Sequence, residues 1–336
     1  MPIQLLPFCD VPLEQESDFF VVLSKKELGE TSTHNPYYKV SFQDAQRSAN
    51  AMIWNDSAWF SSCANQWSVG NFYKIRGIVK KTAKYGEQLE IKQMREVREE
   101  DRQMGFSEAD FVPQSAFDMQ EMYDDILDIL CDTIGENDPL FELCKTIFVQ
   151  YKDELMVQSA ASHNHHAFVG GWLEHTRNVT KTAVFLGRRY AEQYPDLNPP
   201  LDIGLIAAGA SLHDIGKLRE IALAGVGFEY TVEGNLIGHM LQGRDIVRET
   251  CNELKIEGER YLLLEHIIVA HQRLPEWGAP KPPMIPEALL VHYADDIDAK
   301  FAILTAIRDA IPDGELFSNA RNSLTYKVYR ADGQEY

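Results

Sequence analysis

What the chain lacks narrows its class before any motif is read. Its five cysteines (Cys9, Cys63, Cys131, Cys144 and Cys251) are scattered, odd in number and never spaced as C-x-x-C. That pattern argues against a disulfide framework or a zinc ribbon and predicts a protein of a reducing cytoplasm. No apolar run approaches the roughly 20 residues a membrane span needs, so no membrane partner is expected. The segment Met1 to Pro7 has neither the basic stretch nor the longer apolar stretch of a signal peptide. Positive charge is in short supply: 32 Lys and Arg stand against 51 Asp and Glu, a net charge of −19. A protein whose whole surface binds nucleic acid would normally carry the opposite excess. There is no internal repeat and no low-complexity tract.

What is there suffices for two or three domains. The chain has 336 residues, 45% of them hydrophobic and 25% charged, the composition of an ordinary globular protein. Charge is unevenly spread. Between Lys74 and Arg98 eight basic residues face three acidic ones, and between Glu99 and Asp128 ten acidic residues face the single base Arg102. The abrupt change of sign near Arg98 predicts a domain boundary. A local basic patch can act within an acidic protein, because salt screens charge beyond ~8 Å.

Residues 1–98 read as β. Asp18–Leu23 is an apolar strand, Tyr38, Val40 and Phe42 alternate with polar residues, Ala51–Trp54 is a third strand, and Tyr73, Ile75 and Val79 alternate with Lys74, Arg76 and Lys80. Leu89 and Ile91 follow a turn at Lys84-Tyr85-Gly86. Period-two segments separated by turns predict a small OB-like barrel, whose open face can bind single strands or oligosaccharides, or a purely structural β module. Residues 99–114, acidic and containing Gly105 and Pro113, read as a linker. Residues 115–336 read as helical, with Ser115 as a candidate N-cap and long helices at Gly171–Tyr194, Gly204–Leu212, Tyr261–His271 and Pro286–Ile311. The expected fold class is multidomain α+β, an N-terminal OB-like barrel followed by an all-helical domain.

Nine of the ten histidines fall between His163 and His292, and one lies in the apolar run Leu212-His213-Asp214-Ile215-Gly216-Lys217. Buried charge must be paired or bound to metal, and imidazole with carboxylate suits divalent first-row ions, with Mg also possible at carboxylate-rich sites. His213 and Asp214 point about 100° apart if helical, so both reach one ion only near a helix end or by bridging. His175 and Asp295 would complete one ligand set, and His239 and His271 could hold a second ion beside it. Against this, His292 and His266 suit hydrogen-bonded core positions, Asp296 and Asp298 suit solvent or a helix start, and Lys217 suits a helix C-terminus.

The pattern His175, His213-Asp214 and Asp295 resembles the H…HD…D signature of the HD-domain metal-dependent phosphohydrolases. Asn164 to Thr176 resembles the N-H-H-A-Y-x-G-G-L-L-E-H-T block of the YhaM-type 3′→5′ exoribonucleases, which join an OB fold to an HD domain. Glu233–His239, Glu265–His271 with Glu276–Pro280, and Glu287–Lys300 resemble further blocks of that family, as does Asp110–Pro113. The likeness spans nearly the whole chain. It departs where the family's second histidine is Gln272, its following glycine is Arg273 and its serine is Ala270.

The resemblance implies one or two divalent ions (Mn, Mg, Co or Fe), with His175, His213, Asp214 and Asp295 on the first and Asp214, His239 and His271, with His266 as a further candidate, on the second. Asp214 and Lys217 would be catalytic, Lys217 offsetting phosphate charge, and His165 and His166 would orient substrate. The implied reaction removes nucleotides from a 3′ end as 5′-monophosphates. The partner would be single-stranded nucleic acid, RNA before DNA, held on the barrel by Lys74, Arg76 and aromatic residues among Trp54, Phe72, Tyr73 and Tyr85. Three other readings stay open: an HD hydrolase of a nucleotide or cyclic dinucleotide, a binding protein with a vestigial site, and an HD-type di-iron oxygenase.

Overall fold

A computed structural model describes residues 5–31, 33–82, 86–162, 166–224, 227–312 and 314–331. The chain divides into two compact units, Met1–Gln114 with Ala224–Gly227, and Ser115–Leu223 with Phe228–Tyr336.

In the first unit, β1 (Glu16–Glu30), β2 (Pro36–Gln43), β3 (Ser48–Trp54), β4 (Phe72–Thr82) and β5 (Gly86–Glu96) close into a barrel in the order β1-β2-β3-β5-β4. Neighbours are antiparallel except β3 and β5, which pair in parallel at Asn50 and Gln88. The short helix α1 (Phe60–Asn65) stands between β3 and β4. This is the five-stranded Greek-key layout of an OB fold. Alternation decides what fills it: Phe19, Val21, Leu23, Val40, Phe42, Ile53, Tyr73, Ile75, Val79 and Leu89 form the buried interior.

The uninterrupted apolar run in β1 has its own cause. Phe19, Val21 and Leu23 belong to the barrel interior, while Phe20 and Val22 cluster on the other face with Phe106, Phe111 and Phe72. A strand buried on both faces must be apolar throughout. The residues expected to be a linker, 99–114, are therefore folded onto the barrel. They form two 3₁₀ turns, Glu99–Met104 and Glu108–Phe111, and their acidic character is spent locally, with buried Asp101 taking both guanidinium nitrogens of Arg95 at 2.6 Å. The predicted turn residues Lys84 and Tyr85 lie outside the described residues.

The second unit contains α2 (Met119–Ile134), α3 (Pro139–Gln150), α4 (Lys152–Val157), α5 (Gly171–Gln193), α6 (Ile203–Leu212), α7 (Lys217–Glu220), most of a two-stranded hairpin of β6 (Ile221–Ala224) and β7 (Gly227–Tyr230), α8 (Val232–Ile237), α9 (His239–Leu254), α10 (Glu259–Ala270) and α11 (Pro286–Asp309). The hairpin, and an antiparallel bridge between Phe317 and Tyr329, depart from the all-helical expectation. Asp118, not Ser115, caps α2, accepting the backbone N–H of Glu121 at 2.8 Å. Asp138 and Asp202 cap α3 and α6, and both also take Arg260 at 2.7 Å, tying three helix starts together.

α6 positions the site. From Gly204 to Leu212 every residue is buried, and a helix apolar on all sides is a core helix. It packs against α5, α2, α11 and α10. The residues that follow it, His213 and Asp214, are thereby delivered to the middle of the unit. No described helix is long and apolar enough to cross a membrane.

Candidate metal centre

Past Leu212 the chain leaves α-helical geometry for tighter turns, with Ile215 N–H bonding Leu212 C=O and Lys217 N–H bonding Asp214 C=O. The break turns His213 and Asp214 toward one space, and Trp172 fixes it by donating its indole N–H to the Asp214 carbonyl at 2.9 Å. Gly216 is demanded by packing. A Cβ there would lie 1.9 Å from the His239 carbonyl oxygen, so only glycine lets the start of α9 lie against this turn and bring His239 to Asp214. Gly171 acts similarly at the start of α5, where a Cβ would lie 2.1 Å from the His166 carbonyl oxygen.

The Asp214 carboxylate faces a different pair of histidines with each oxygen. Oδ2 lies 3.8 Å from His175 Nε2 and 3.5 Å from His213 Nε2, while Oδ1 lies 3.4 Å from His239 Nε2 and 3.5 Å from His271 Nε2. Asp295 Oδ1 joins the first pair, 3.2 Å from His175 Nε2 and 3.8 Å from His213 Nε2. Three groups have ligand atoms close enough to hold an ion, His166-His175-Asp298, His175-His213-Asp214 and Asp214-His239-His271, and the last two share Asp214. Asp214 would be the bridge.

The second bond of each imidazole supports the same reading. His213 Nδ1 donates to Ala210 C=O and His271 Nδ1 to Ile268 C=O, both at 2.7 Å. A carbonyl can only accept, so each Nδ1 carries a proton and each Nε2 is the atom that faces the site. His175 Nδ1 bonds Asp298 Oδ2 at 2.7 Å and His239 Nδ1 bonds Glu220 Oε1 at 2.9 Å. Four histidines oriented in this way, with buried Asp214 Oδ1 and His239 Nε2 lacking any hydrogen bond, are what a divalent ion requires.

Electrostatics prepare the exchange of proton for ion. Burial pushes His213 down to about 4. Burial would also lower His175, but Asp295 and Asp298 outweigh it and hold the ring at about 9. Burial would raise Asp214 and Asp295, yet Lys217 and His213 keep Asp214, and His175 and His213 keep Asp295, well below the usual carboxylate range. Burial would lower Lys217, and the adjoining Asp214 raises it instead.

Of the other expected site residues, His266 does not join the centre. Its Nε2 accepts the Met284 N–H at 2.9 Å in a separate apolar cleft with Leu241, Leu262 and Met284. Lys217 is buried, 2.9 Å from Asp214 Oδ2, and its ammonium also bonds the Ala160 carbonyl, so it positions Asp214. His166 is buried with Nε2 3.7 Å from Glu174 and Nδ1 3.9 Å from Asp298, its ring centroid 5.5 Å from that of His175. His165 lies outside the described residues. His292 is a core residue, donating to the His271 carbonyl at 2.6 Å. On the barrel, Arg76 is held by Asp18 in two bonds of 2.7 and 2.8 Å. Lys74 sits near Asp101 and the Phe20 ring, Tyr73 is interior, and Phe72 is packed beside Phe106. Trp54 is exposed and pairs with Tyr37, ring centroids 5.2 Å apart.

Residues 172–300 match the family model described as HD domain. The chain is 28% identical over 326 residues to a 3′-5′ exoribonuclease YhaM of Bacillus licheniformis, covering 96% of this chain and 94% of that protein. It is 29% identical over 305 residues to the YhaM of Bacillus subtilis, covering 90% of each. Among solved structures, a domain of replication protein A from Methanococcus maripaludis aligns at 13% identity and a TM-score of 0.23, over 28% of this chain and 96% of that one. The barrel assignment rests on strand order and not on that alignment. The helical unit thus carries an HD domain over residues 172–300, and the chain is similar over most of its length to the YhaM exoribonucleases.

Proposed function

We propose that the protein is a metal-dependent exonuclease that removes nucleotides from the 3′ end of single-stranded RNA as 5′-monophosphates. The observation that carries this is the Asp214 carboxylate, each oxygen of which faces its own pair of histidines. The names of the relatives supply the substrate class and polarity. Divalent ions bound there would lower the pKa of a water and neutralise charge on a phosphodiester. The chain's own residues fix the geometry: Lys217 and Trp172 hold Asp214, and Asp298 and Glu220 orient His175 and His239. His166 lies beside this group, its Nδ1 3.9 Å from Asp298.

The barrel would hold the strand. Its exposed Trp54 and adjoining Tyr37 offer a face on which bases stack. Lys74 and Arg76 are already engaged by acids, so the aromatic pair is the stronger candidate contact. All five cysteines are unpaired, which suits the cytoplasm.

The test is Mn-dependent digestion of 5′-labelled single-stranded RNA and its DNA counterpart, wild type beside Asp214→Asn. A ladder that shortens from the 3′ end and vanishes in the variant supports the reading. Hydrolysis of nucleotides or cyclic dinucleotides with no attack on either polymer would move the protein to another HD hydrolase class.

A further inference from the structure

Two sequence motifs contribute little to the metal centre. Glu233–His239 supplies only His239, and Glu276–Pro280 supplies no ligand. Both line one cleft of about 680 Å³. His239, Lys217 and Gln272 line it where it meets the metal centre, and Leu236 and Trp277 line it elsewhere. We propose that this cleft seats the 3′-terminal nucleotide, its phosphate toward His239 and Gln272 and its base on the Trp277 indole beside Leu236. The proposal rests on the exonuclease reading and names the subsite that reading needs.

The cleft's size suits a nucleotide with its sugar, within the ~300–1,000 Å³ of small-molecule sites. Its lining combines the polar His239, Lys217 and Gln272 with large side chains left open: Leu236 is 77% exposed and Trp277 48%. A nucleotide combines the same two chemistries, in its phosphate and its base. Trp277 is firmly placed. It ends the 3₁₀ turn Pro275–Trp277, donates its backbone N–H to Leu274 C=O at 3.0 Å, and precedes Gly278, whose φ of 91° reverses the chain. The Lys300 ammonium stands 5.7 Å from its ring centroid and 2.8 Å from Asp296, which neighbours the ligand Asp295. The indole is thus tied to the helix that carries a metal ligand.

The experiment compares the affinities of AMP and ribose 5-phosphate for the full-length protein loaded with Mn, by isothermal titration. The wild type is expected to bind AMP at least about tenfold tighter, the worth of one base stacked on an aromatic ring. Trp277→Ala should bring the two affinities within about twofold, and Trp277→Phe should keep most of the preference. Far-UV circular dichroism checks that both variants fold. A Trp277→Ala protein that keeps the wild-type preference for AMP overturns the proposal, as does a wild type with no preference. If the preference depends on Trp277 but no RNA is shortened from its 3′ end, the exonuclease reading fails and the nucleotide subsite stands. If RNA is shortened while the preference ignores Trp277, the subsite fails and the reading stands.

Discussion

The charged groups of the barrel and those of the metal centre are treated in opposite ways. On the barrel Arg76 meets Asp18, Arg95 meets Asp101, Arg47 meets Glu87 and Lys80 meets Glu90, each at 2.6–2.7 Å. At the metal centre four histidines and two aspartates gather, with His175, His213, His271 and Asp214 fully buried, and Asp214 Oδ1 and His239 Nε2 find no hydrogen bond there. A satisfied pair explains itself as structure. A buried polar atom without a partner costs ~1–3 kcal/mol and asks for something else to bind.

The largest break in that comparison is Asp214→Asn. It keeps the shape of the side chain and removes the charge that both ligand groups share. Bound manganese, read by plasma mass spectrometry after gel filtration, should fall to background, and hydrolysis should fall by about a thousandfold or more. A variant that retains its metal would show that Asp214 is not the bridge.

Asp298→Asn should do less, because it removes only the carboxylate that orients His175. Metal affinity is expected to fall by about 10–100-fold with the fold intact. The same pair sets a pH dependence in the wild type. Without metal His175 is held at about 9, so below that pH an incoming ion must displace its proton. Apparent affinity should therefore rise as pH climbs toward about 9, with proton release visible by titration calorimetry in buffers of different ionisation enthalpy. Affinity that is flat from pH 6 to 9 would remove His175 from the ligand set.

The barrel gives the contrasting result. Hydrogen bonds from Arg95 depress Asp101 to about 2. A depressed carboxylate contributes stability above its unfolded pKa of ~3.9 and loses it as pH falls through the folded value. Asp101→Asn should cost about 1–2 kcal/mol at pH 7 in urea unfolding of the barrel, and the gap from wild type should close between pH ~4 and ~2. It should leave metal content unchanged. The smallest expected effect is Trp54→Ala, which should weaken binding of single-stranded RNA by about fivefold to tenfold and spare the thermal midpoint, since the ring is largely exposed. An unchanged affinity would leave the aromatic pair without a role.

The metal centre was legible where residue type and local motif coincide. A His-Asp pair ending an apolar run has few other uses, and His175, His239, His271 and Asp295 all arrive beside it. His266 failed for a reason of angle. It precedes His271 by five positions on α10, which sets the two side chains about 140° apart, so they cannot face one ion. Asp298 and Glu220 were missed because a carboxylate on a helix usually faces water. The three-residue spacing of Asp298 from Asp295 on α11 is the signal that could have found it.

The barrel was legible from its alternation, but its charges were not. Lys74 and Arg76 read as free cations because their acidic partners are distant in sequence. Asp18 stands directly across from Arg76 on β1, and Asp101 lies in the segment read as linker. That segment was misjudged on its acids, when Phe106 and Phe111 decide where it goes.

The four site histidines owe their orientation to two different kinds of partner. His213 and His271 are set by main-chain carbonyls, of Ala210 and Ile268, which every amino acid carries. His175 and His239 are set by the side chains of Asp298 and Glu220, which one codon change can remove. Each ligand pair around Asp214 therefore joins one histidine whose aim is inherited with the fold to one whose aim can be retuned, so either half of the centre can be adjusted without rebuilding the backbone beneath it.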